Sequence, residues 1–330
     1  MSQGRGRHGS AIRWAMPARV GLVLLLVLLV LGLALRLLVE PGGRLGLPQS
    51  GVIWGIRLDR AMAAVVVGMA LGAAGVALQA MLRNPLASPD LLGMSAGAVL
   101  AVTLGRALGL GLPDEAWALM GAVGALGLVL LLGRRRGQIE PVTLILVGVA
   151  LAIGLGSLAS AVRALLPPSA RPEGAWLFGT LSDGLTTPRL VAAGLVTTAG
   201  VLWIALRGRA LDAAAMGEDE ALSAGVPLRR LRLEMLVVAG TLTAVSVVLA
   251  GPIAFLGLVS PHLVRLAIGP RHLALVLGAA MAGATLMLLS DSIVRVVPLE
   301  TGRLPTGVVV AVLAAPALIV VLRSQAGRPG

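Results

Sequence analysis

The sequence predicts an all-α polytopic membrane protein with about ten transmembrane helices. Hydrophobic residues make up 57% of the chain, whereas charged residues make up 13%. A soluble domain usually carries about a quarter charged residues. The mean hydropathy of +0.96 and the length of 330 residues are sufficient for about ten spans of ~20 residues joined by short loops.

Each predicted span is a run without charged side chains, and most of these runs are long enough to cross the hydrocarbon core as a helix. The runs are 20–35, 61–82, 91–105, 116–133, 141–162, 190–206, 235–264, 273–290 and 304–322. As one helix, 235–264 would extend about 45 Å, which exceeds a single span. Because Gly251 and Pro252 interrupt it, we divide it there, which makes ten helices.

The arginines orient the chain. Ten spans with a cytoplasmic N-terminus place most of the 27 basic residues in cytoplasmic loops and tails, as the positive-inside rule requires. Both termini are therefore expected in the cytoplasm. The first apolar run, which follows a basic tail, could also be a secretory signal peptide. We interpret it as a span, because no clear small-residue cleavage site for a signal peptidase follows it. The expected organisation is a cytoplasmic basic tail at 1–19, a single transmembrane domain at 20–323 and a cytoplasmic tail at 324–330.

Missing residue types exclude several functions. The chain contains no Lys, so it lacks a P-loop for ATP. It has no Cys and only three widely separated His, so we expect neither a metal site nor catalytic residues. The arginines form no basic stripe, which excludes nucleic acid as a partner. An alternative function is that of a secondary transporter that moves a small solute without a partner. Few charged groups fall within the spans to form the proton or ion relay of such a transporter, which disfavours this alternative.

A series of motifs covers nearly all of the chain after the first span. The segments are 57–60 (RLDR), 83–93 (RNPLASPDLLG), 148–151 (GVAL), 176–181 (WLFGTL), 216–225 (MGEDEALSAG), 251–265 (GPIAFLGLVSPHLVR), 291–295 (DSIVR) and 304–307 (LPTG). In this order the motifs resemble the FecCD family of ABC-importer permeases.

The resemblance implies a ten-helix permease of the cell (inner) membrane that works as a homodimer. Its partners would be a second copy, two ATP-binding-cassette ATPases, an extracytoplasmic substrate-binding protein and the lipid bilayer. ATP and Mg would be bound by the ATPases, so this chain would hold no cofactor and would not be an enzyme. The implied cargo is a metal chelate, with iron–siderophore first and haem or cobalamin next.

The loop 207–232 is expected to form two short helices, at 212–216 and 218–224, joined at Gly217. Its acidic residues lie at the start of the second helix, where negative charge is favourable. On physical grounds alone the segment could also lie on lipid headgroups. The resemblance implies that segment 211–226 docks on the ATPase, through Ala213, Met216, Gly217, Glu218, Ala221 and Leu222.

The resemblance also assigns Arg57, Arg60 and Arg295 to docking of the binding protein. The alternatives are interfacial anchoring for Arg57 and Arg60, and pairing of Arg295 with Asp291 four residues earlier.

Two further assignments follow from the family pattern. Some members gate the cytoplasmic end with two small hydroxyl residues; the corresponding positions are Pro141 and Val142, which depart from that pattern, with Thr143 beside them. His262 is expected to be structural rather than a haem ligand.

Within segment 83–93, Ser88 is expected to cap a helix that restarts at Pro89. The GxxxG pair Gly68 and Gly72 is expected to let two helices pack closely.

Overall fold

The computed structural model describes residues 16–326, except 41, 48–49, 136–137, 140, 168–177, 182–184 and 298–303. Its helices are α1 (Ala18–Leu38), α2 (Gly51–Met81), α3 (Met94–Leu108), α4 (Asp114–Leu132), α5 (Pro141–Leu165), α6 (Thr187–Leu206), α7 (Gly208–Met216), α8 (Glu218–Ser223), α9 (Leu228–Ala250), α10 (Leu256–Ile268), α11 (His272–Val296) and α12 (Thr306–Ala326). Two short antiparallel strands, β1 (Arg134–Arg135) and β2 (Gln138–Ile139), join α4 to α5.

The predicted helical class is confirmed. Within the described ranges, seven helices are long and apolar enough to cross a membrane: α1, α2, α4, α5, α6, α9 and α11. Three shorter apolar helices accompany them, namely Met94–Leu108, Leu256–Ile268 and Thr306–Pro316. Whether these also cross decides between seven spans and the expected ten.

The predicted break in the run 235–264 is confirmed, because α9 ends at Ala250 and α10 begins at Leu256. Gly251 has a φ of +69°, and Phe255 adopts a φ of +64°, which is uncommon for a residue with a side chain. The backbone N–H of Phe255 donates to Asp90 Oδ2 at 3.2 Å. This buried carboxylate therefore stabilises the break, and burial raises its pKa above the usual range.

The expected helix restart at Ser88 is wrong. Residues 82–93 form successive turns, and α3 begins only at Met94 after Gly93, whose φ is +72°. Ser88 is fully buried and Asp90 is engaged with Phe255 rather than with the start of its own helix. The sequence around Ser88 has the composition of a cap, but the chain uses it to pack against another segment.

The helix α2 begins ten residues before the charge-free run that predicted it, at Gly51 instead of residue 61. The Ser50 side chain accepts a hydrogen bond from the Ile53 N–H at 3.4 Å, as an N-cap does. The early start places Arg57 and Arg60 inside the helix, where both are buried. Charged residues can continue a membrane helix here because other groups of the protein bind them.

The centre of the bundle is the antiparallel pair α2 and α11. A Cβ added to Gly68 would lie 2.3 Å from the Gly283 carbonyl oxygen, and one added to Gly72 would lie 2.2 Å from that of Ala279. The backbones touch at these positions, which confirms the predicted role of Gly68 and Gly72. Further along α2, Gly75 packs in the same way against Gly257 of α10.

We expect Gly72→Ala to destabilise the protein, because its methyl group would overlap the backbone of α11. Overpacking of this kind typically costs about 1–3 kcal/mol. The measurement is the thermal unfolding midpoint of the detergent-purified chain. Gly124→Ala is the matched control, since Gly124 also lies within a helix but has open space around it. Equal midpoints for the Gly72 variant and the unaltered protein would contradict the close packing.

Candidate functional site

A two-helix segment projects from one end of the bundle, as the loop 207–232 predicted. The helices α7 and α8 meet at Gly217, and the second ends at Gly225, whose φ is +72°. Gly217 itself has an extended backbone with a φ of 173°. The predicted pair of short helices is confirmed, although α7 begins four residues earlier than expected.

Two large apolar side chains are exposed on this segment, next to the exposed acidic residues 218–220. Met216 is 76% exposed and Leu222 is 62% exposed, although both are large hydrophobic side chains. Ala213 is partly exposed. Ala221 was predicted to belong to the same face, but this is wrong: its side chain is 0% exposed and faces the bundle. Ala221 is buried in a part of the chain where α8 packs against α9.

Glu218 makes the strongest polar contact of α8, an ion pair with Arg232 at the start of α9. This interaction lowers the pKa of the Glu218 carboxyl below its usual range, so the group stays ionised at neutral pH. Because the pair is exposed, it orients α8 more than it stabilises the fold.

An open groove of about 520 Å³ lies beside the exposed apolar residues. Its lining residues are Leu222, Pro227, Leu228, Arg229, Arg230 and Leu233. Leu233 is 57% exposed, so the apolar surface of α8 continues onto α9. The arrangement offers a partner two projecting side chains and an apolar depression next to them.

An arginine cluster, formed by Arg36, Arg57, Arg60 and Arg295, lies at the other end of α11. Arg60 Nη2 donates to Asp291 Oδ1 at 2.8 Å, and Arg36 donates to the same carboxylate. Both Arg36 and Asp291 are inaccessible to solvent. Such a buried arrangement depends on mutual pairing, since removing one partner commonly costs about 3–5 kcal/mol.

The other two arginines of the cluster differ in their partners. Arg57 donates to the carbonyl oxygens of Leu37 and Gly46 at 2.9 and 3.0 Å, and to Glu40 at 3.1 Å. Arg295 Nε is buried without a hydrogen-bond partner. The alternative that Arg295 pairs with Asp291 is wrong, because Arg36 and Arg60 take that carboxylate.

The three arginines assigned to docking thus lie near one another, but they differ in solvent exposure. Arg57 is 3% and Arg60 is 5% exposed, whereas Arg295 is partly exposed. Of these three, Arg295 alone is partly exposed, although its Nε atom is buried. The sequence analysis missed Arg36, which follows the predicted run 20–35 directly. In the structure it lies inside α1, which continues to Leu38. A lone arginine in a predicted span is itself a signal, because such residues usually have a buried partner.

The predicted gate residues begin α5. The side chains of Pro141 and Val142 lie outside the described residues, and Thr143 is partly buried in the first turn. His262 is 2% exposed within α10. The described residues hold no group of three or more His, Cys, Asp or Glu that could bind a metal ion, so none surrounds His262.

Segments that carry the family resemblance meet in space. Gly307 N–H donates to the Gly179 carbonyl at 2.7 Å, and a Cβ on Gly179 would lie 2.5 Å from the Pro252 oxygen. A Cβ on Gly148 would lie 2.3 Å from the Leu91 oxygen. These motifs therefore bring together segments that are distant in the sequence, at positions where glycine allows the backbones to approach closely.

Comparison with known proteins agrees with this architecture. The model of the FecCD transport family matches residues 19–324. The vitamin B12 import system permease proteins BtuC of Escherichia coli O157:H7 (strain EC4115 / EHEC) and O127:H6 (strain E2348/69 / EPEC) are each 36% identical over 327 residues, which is 98% of both chains.

Two solved structures resemble the fold. One is described as an inward-facing conformation of a metal-chelate type ABC transporter; it has a TM-score of 0.75 and 28% identity, and the match covers 93% of this chain and 99% of that one. The other, PsaBC from Streptococcus pneumoniae in complex with Fab, has a TM-score of 0.58 at 15% identity, covering 81% and 90%, and shows the fold alone.

The relatives and the seven apolar helices together make this a multi-pass protein of the inner membrane. Since the family model and the relatives at 36% identity both cover nearly the whole chain, the protein belongs to the FecCD transport family.

Proposed function

We propose that this chain is the permease subunit of an ABC importer that moves a metal chelate across the inner membrane. The observation that carries the proposal is the segment α7–α8, which presents Met216 and Leu222 to solvent beyond the helical bundle. Large apolar side chains that project together at the end of a bundle are typical of a protein–protein contact.

The partner at this segment is an ATP-binding-cassette ATPase. The chain has no Lys and therefore no P-loop of its own, so the ATP and Mg must be held elsewhere. Two ATPases would bind two copies of the permease, one per α7–α8 segment. ATP binding would draw the ATPases together, and the segments would pass that movement to the spanning helices.

The ten-span topology with cytoplasmic termini completes this proposal. It places α7–α8 in the cytoplasm, with the ATPases, and the arginine cluster on the outer side, with the substrate-binding protein. The seven long helices and three shorter apolar helices support the count. The start of α5, at Pro141, Val142 and Thr143, is proposed as the cytoplasmic gate.

Cobalamin is the first cargo to test, because both E. coli relatives are vitamin B12 import permeases. Sequence reasoning placed iron–siderophore ahead of haem and cobalamin. All three are large chelates, and the described residues contain no metal-ligand cluster that would select a bare ion. We therefore propose a chelate carried whole, recognised by the binding protein.

Co-expression of the chain with the ATPase and binding protein encoded beside it tests the proposal. Native mass spectrometry should detect two permeases with two ATPases. In proteoliposomes, ATP should drive uptake of labelled cyanocobalamin, a ferric siderophore or haem only when the binding protein is present. Solute uptake by the isolated chain on an ion gradient would instead establish the secondary transporter.

We expect Met216→Ala combined with Leu222→Ala to weaken ATPase binding by about 10-fold or more, since truncation of an interface anchor typically costs above about 1 kcal/mol. The measurement is the affinity of the ATPase for the permease in nanodiscs. Leu110→Ala is the matched control, because Leu110 is also exposed but lies in the turn after α3. Unchanged affinity in the double variant would contradict docking at α7–α8.

Substitutions in the arginine cluster should separate docking from stability. We expect Arg295→Ala to weaken binding of the substrate-binding protein about 10-fold, more so at low salt, without lowering the unfolding midpoint. Arg60→Ala should lower the midpoint instead, because Asp291 would lose a buried partner. Binding and midpoint are measured on the same nanodisc samples. A stable Arg295 variant with full affinity would contradict the assignment.

A further inference from the structure

A direct contact joins α7 to the first turn of the spanning helix α11. Asp212 Oδ1 accepts a hydrogen bond from the backbone N–H of His272 at 2.9 Å and lies 2.6 Å from His272 Nδ1. The first N–H groups of a helix have no partner within it, so a carboxylate is well suited to this position. One carboxylate on α7 thus binds both the backbone and the side chain of the residue that begins α11.

A second contact with α11 lies one turn earlier on α7. A Cβ added to Gly208 would lie 2.9 Å from the backbone nitrogen of Leu273. Leu211 of α7 is fully buried. α7 therefore contacts the start of α11 at two positions, through close backbone packing at Gly208 and through the hydrogen bond of Asp212. We expect a displacement of α7 to displace the start of α11 as well.

α11 continues from this contact to the arginine cluster. It is a single helix of 25 residues, and 19 residues separate His272 from Asp291, a distance of about 28 Å along the axis. Between them, the helix touches the α2 backbone at Gly68 and Gly72. Asp291, near its far end, binds Arg36 and Arg60. One stiff element thus contacts both proposed docking regions.

We propose that Asp212 and His272 form the joint through which the ATPase-docking segment and the binding-protein end of this permease are coupled. This inference rests on the proposed function. Asp212 and His272 are positioning residues: Asp212 is 42% exposed at its side chain and His272 is 9% exposed, so the pair lies at the base of the segment rather than on its projecting apolar face.

The test uses the complete complex of permease, ATPase and binding protein in nanodiscs. The readout is the factor by which the binding protein stimulates ATP hydrolysis. Asp212→Ala, His272→Ala and the double variant are compared with Asp212→Asn, which retains an oxygen acceptor for the His272 N–H. Glu115→Ala is the matched control, because Glu115 makes an interhelical pair with Arg189 that involves neither α7 nor α11.

We expect His272→Ala, which lies outside the docking segment, to retain the ATPase, the binding-protein affinity and basal hydrolysis within about twofold. Stimulation should fall about fivefold or more, the lower range of coupling between sites. The double variant should be no worse than Asp212→Ala alone, since that change already removes both bonds to residue 272, whereas His272→Ala leaves the backbone bond in place. Asp212→Asn should restore most of the stimulation, and Glu115→Ala should leave it unchanged.

Three functional results would overturn the inference and leave the proposed function intact. Stimulation could survive in both Ala variants, or the effects of the two variants could add. Asp212→Ala could also lose the ATPase itself, which would make Asp212 a docking residue. A fall in the unfolding midpoint equal to that of a core variant such as Gly72→Ala would also overturn it, as a purely structural role. If the unaltered chain retains no ATPase, the proposed function fails, and this inference fails with it.

Discussion

The close approach of α2 and α11 is the constraint on which the other helices depend. At Gly68 and Gly72 the two backbones are separated by no side chain, so the pair behaves as one unit. In lipid, where apolar surface gains little by burial against other apolar surface, this van der Waals contact is a main source of helix association. The remaining spans pack around a centre that is buried on almost every side.

The same pair brings the polar groups of the molecule into place. Arg60 on α2 and Asp291 on α11 face each other because the two helices are antiparallel and in register at their glycines. Arg36 reaches that carboxylate from α1. Charges that would be costly alone in the membrane become tolerable once paired. The cluster therefore fixes one end of the bundle while Arg295 stays accessible to a partner.

The opposite end shows a different use of polar groups. There Asp212 binds the beginning of α11, and Arg265 of α10 donates to Gln79 near the end of α2 at 2.8 Å. These bonds attach the two-helix segment and α10 to the central pair. The projecting residues Met216 and Leu222 therefore lie on a segment that is itself attached to the spanning helices.

Four features were predictable from the amino-acid sequence alone: the helical membrane class, the break at Gly251, the two short helices around Gly217 and the family. Each of these depends on local composition, backbone freedom or motif order, which are readable along the chain. The three-dimensional packing was needed to show that Asp291 binds Arg36 and Arg60, that Asp90 binds the break at Phe255, and that Ala221 is buried. These contacts join residues far apart in the chain, and their partners depend on how the helices are packed.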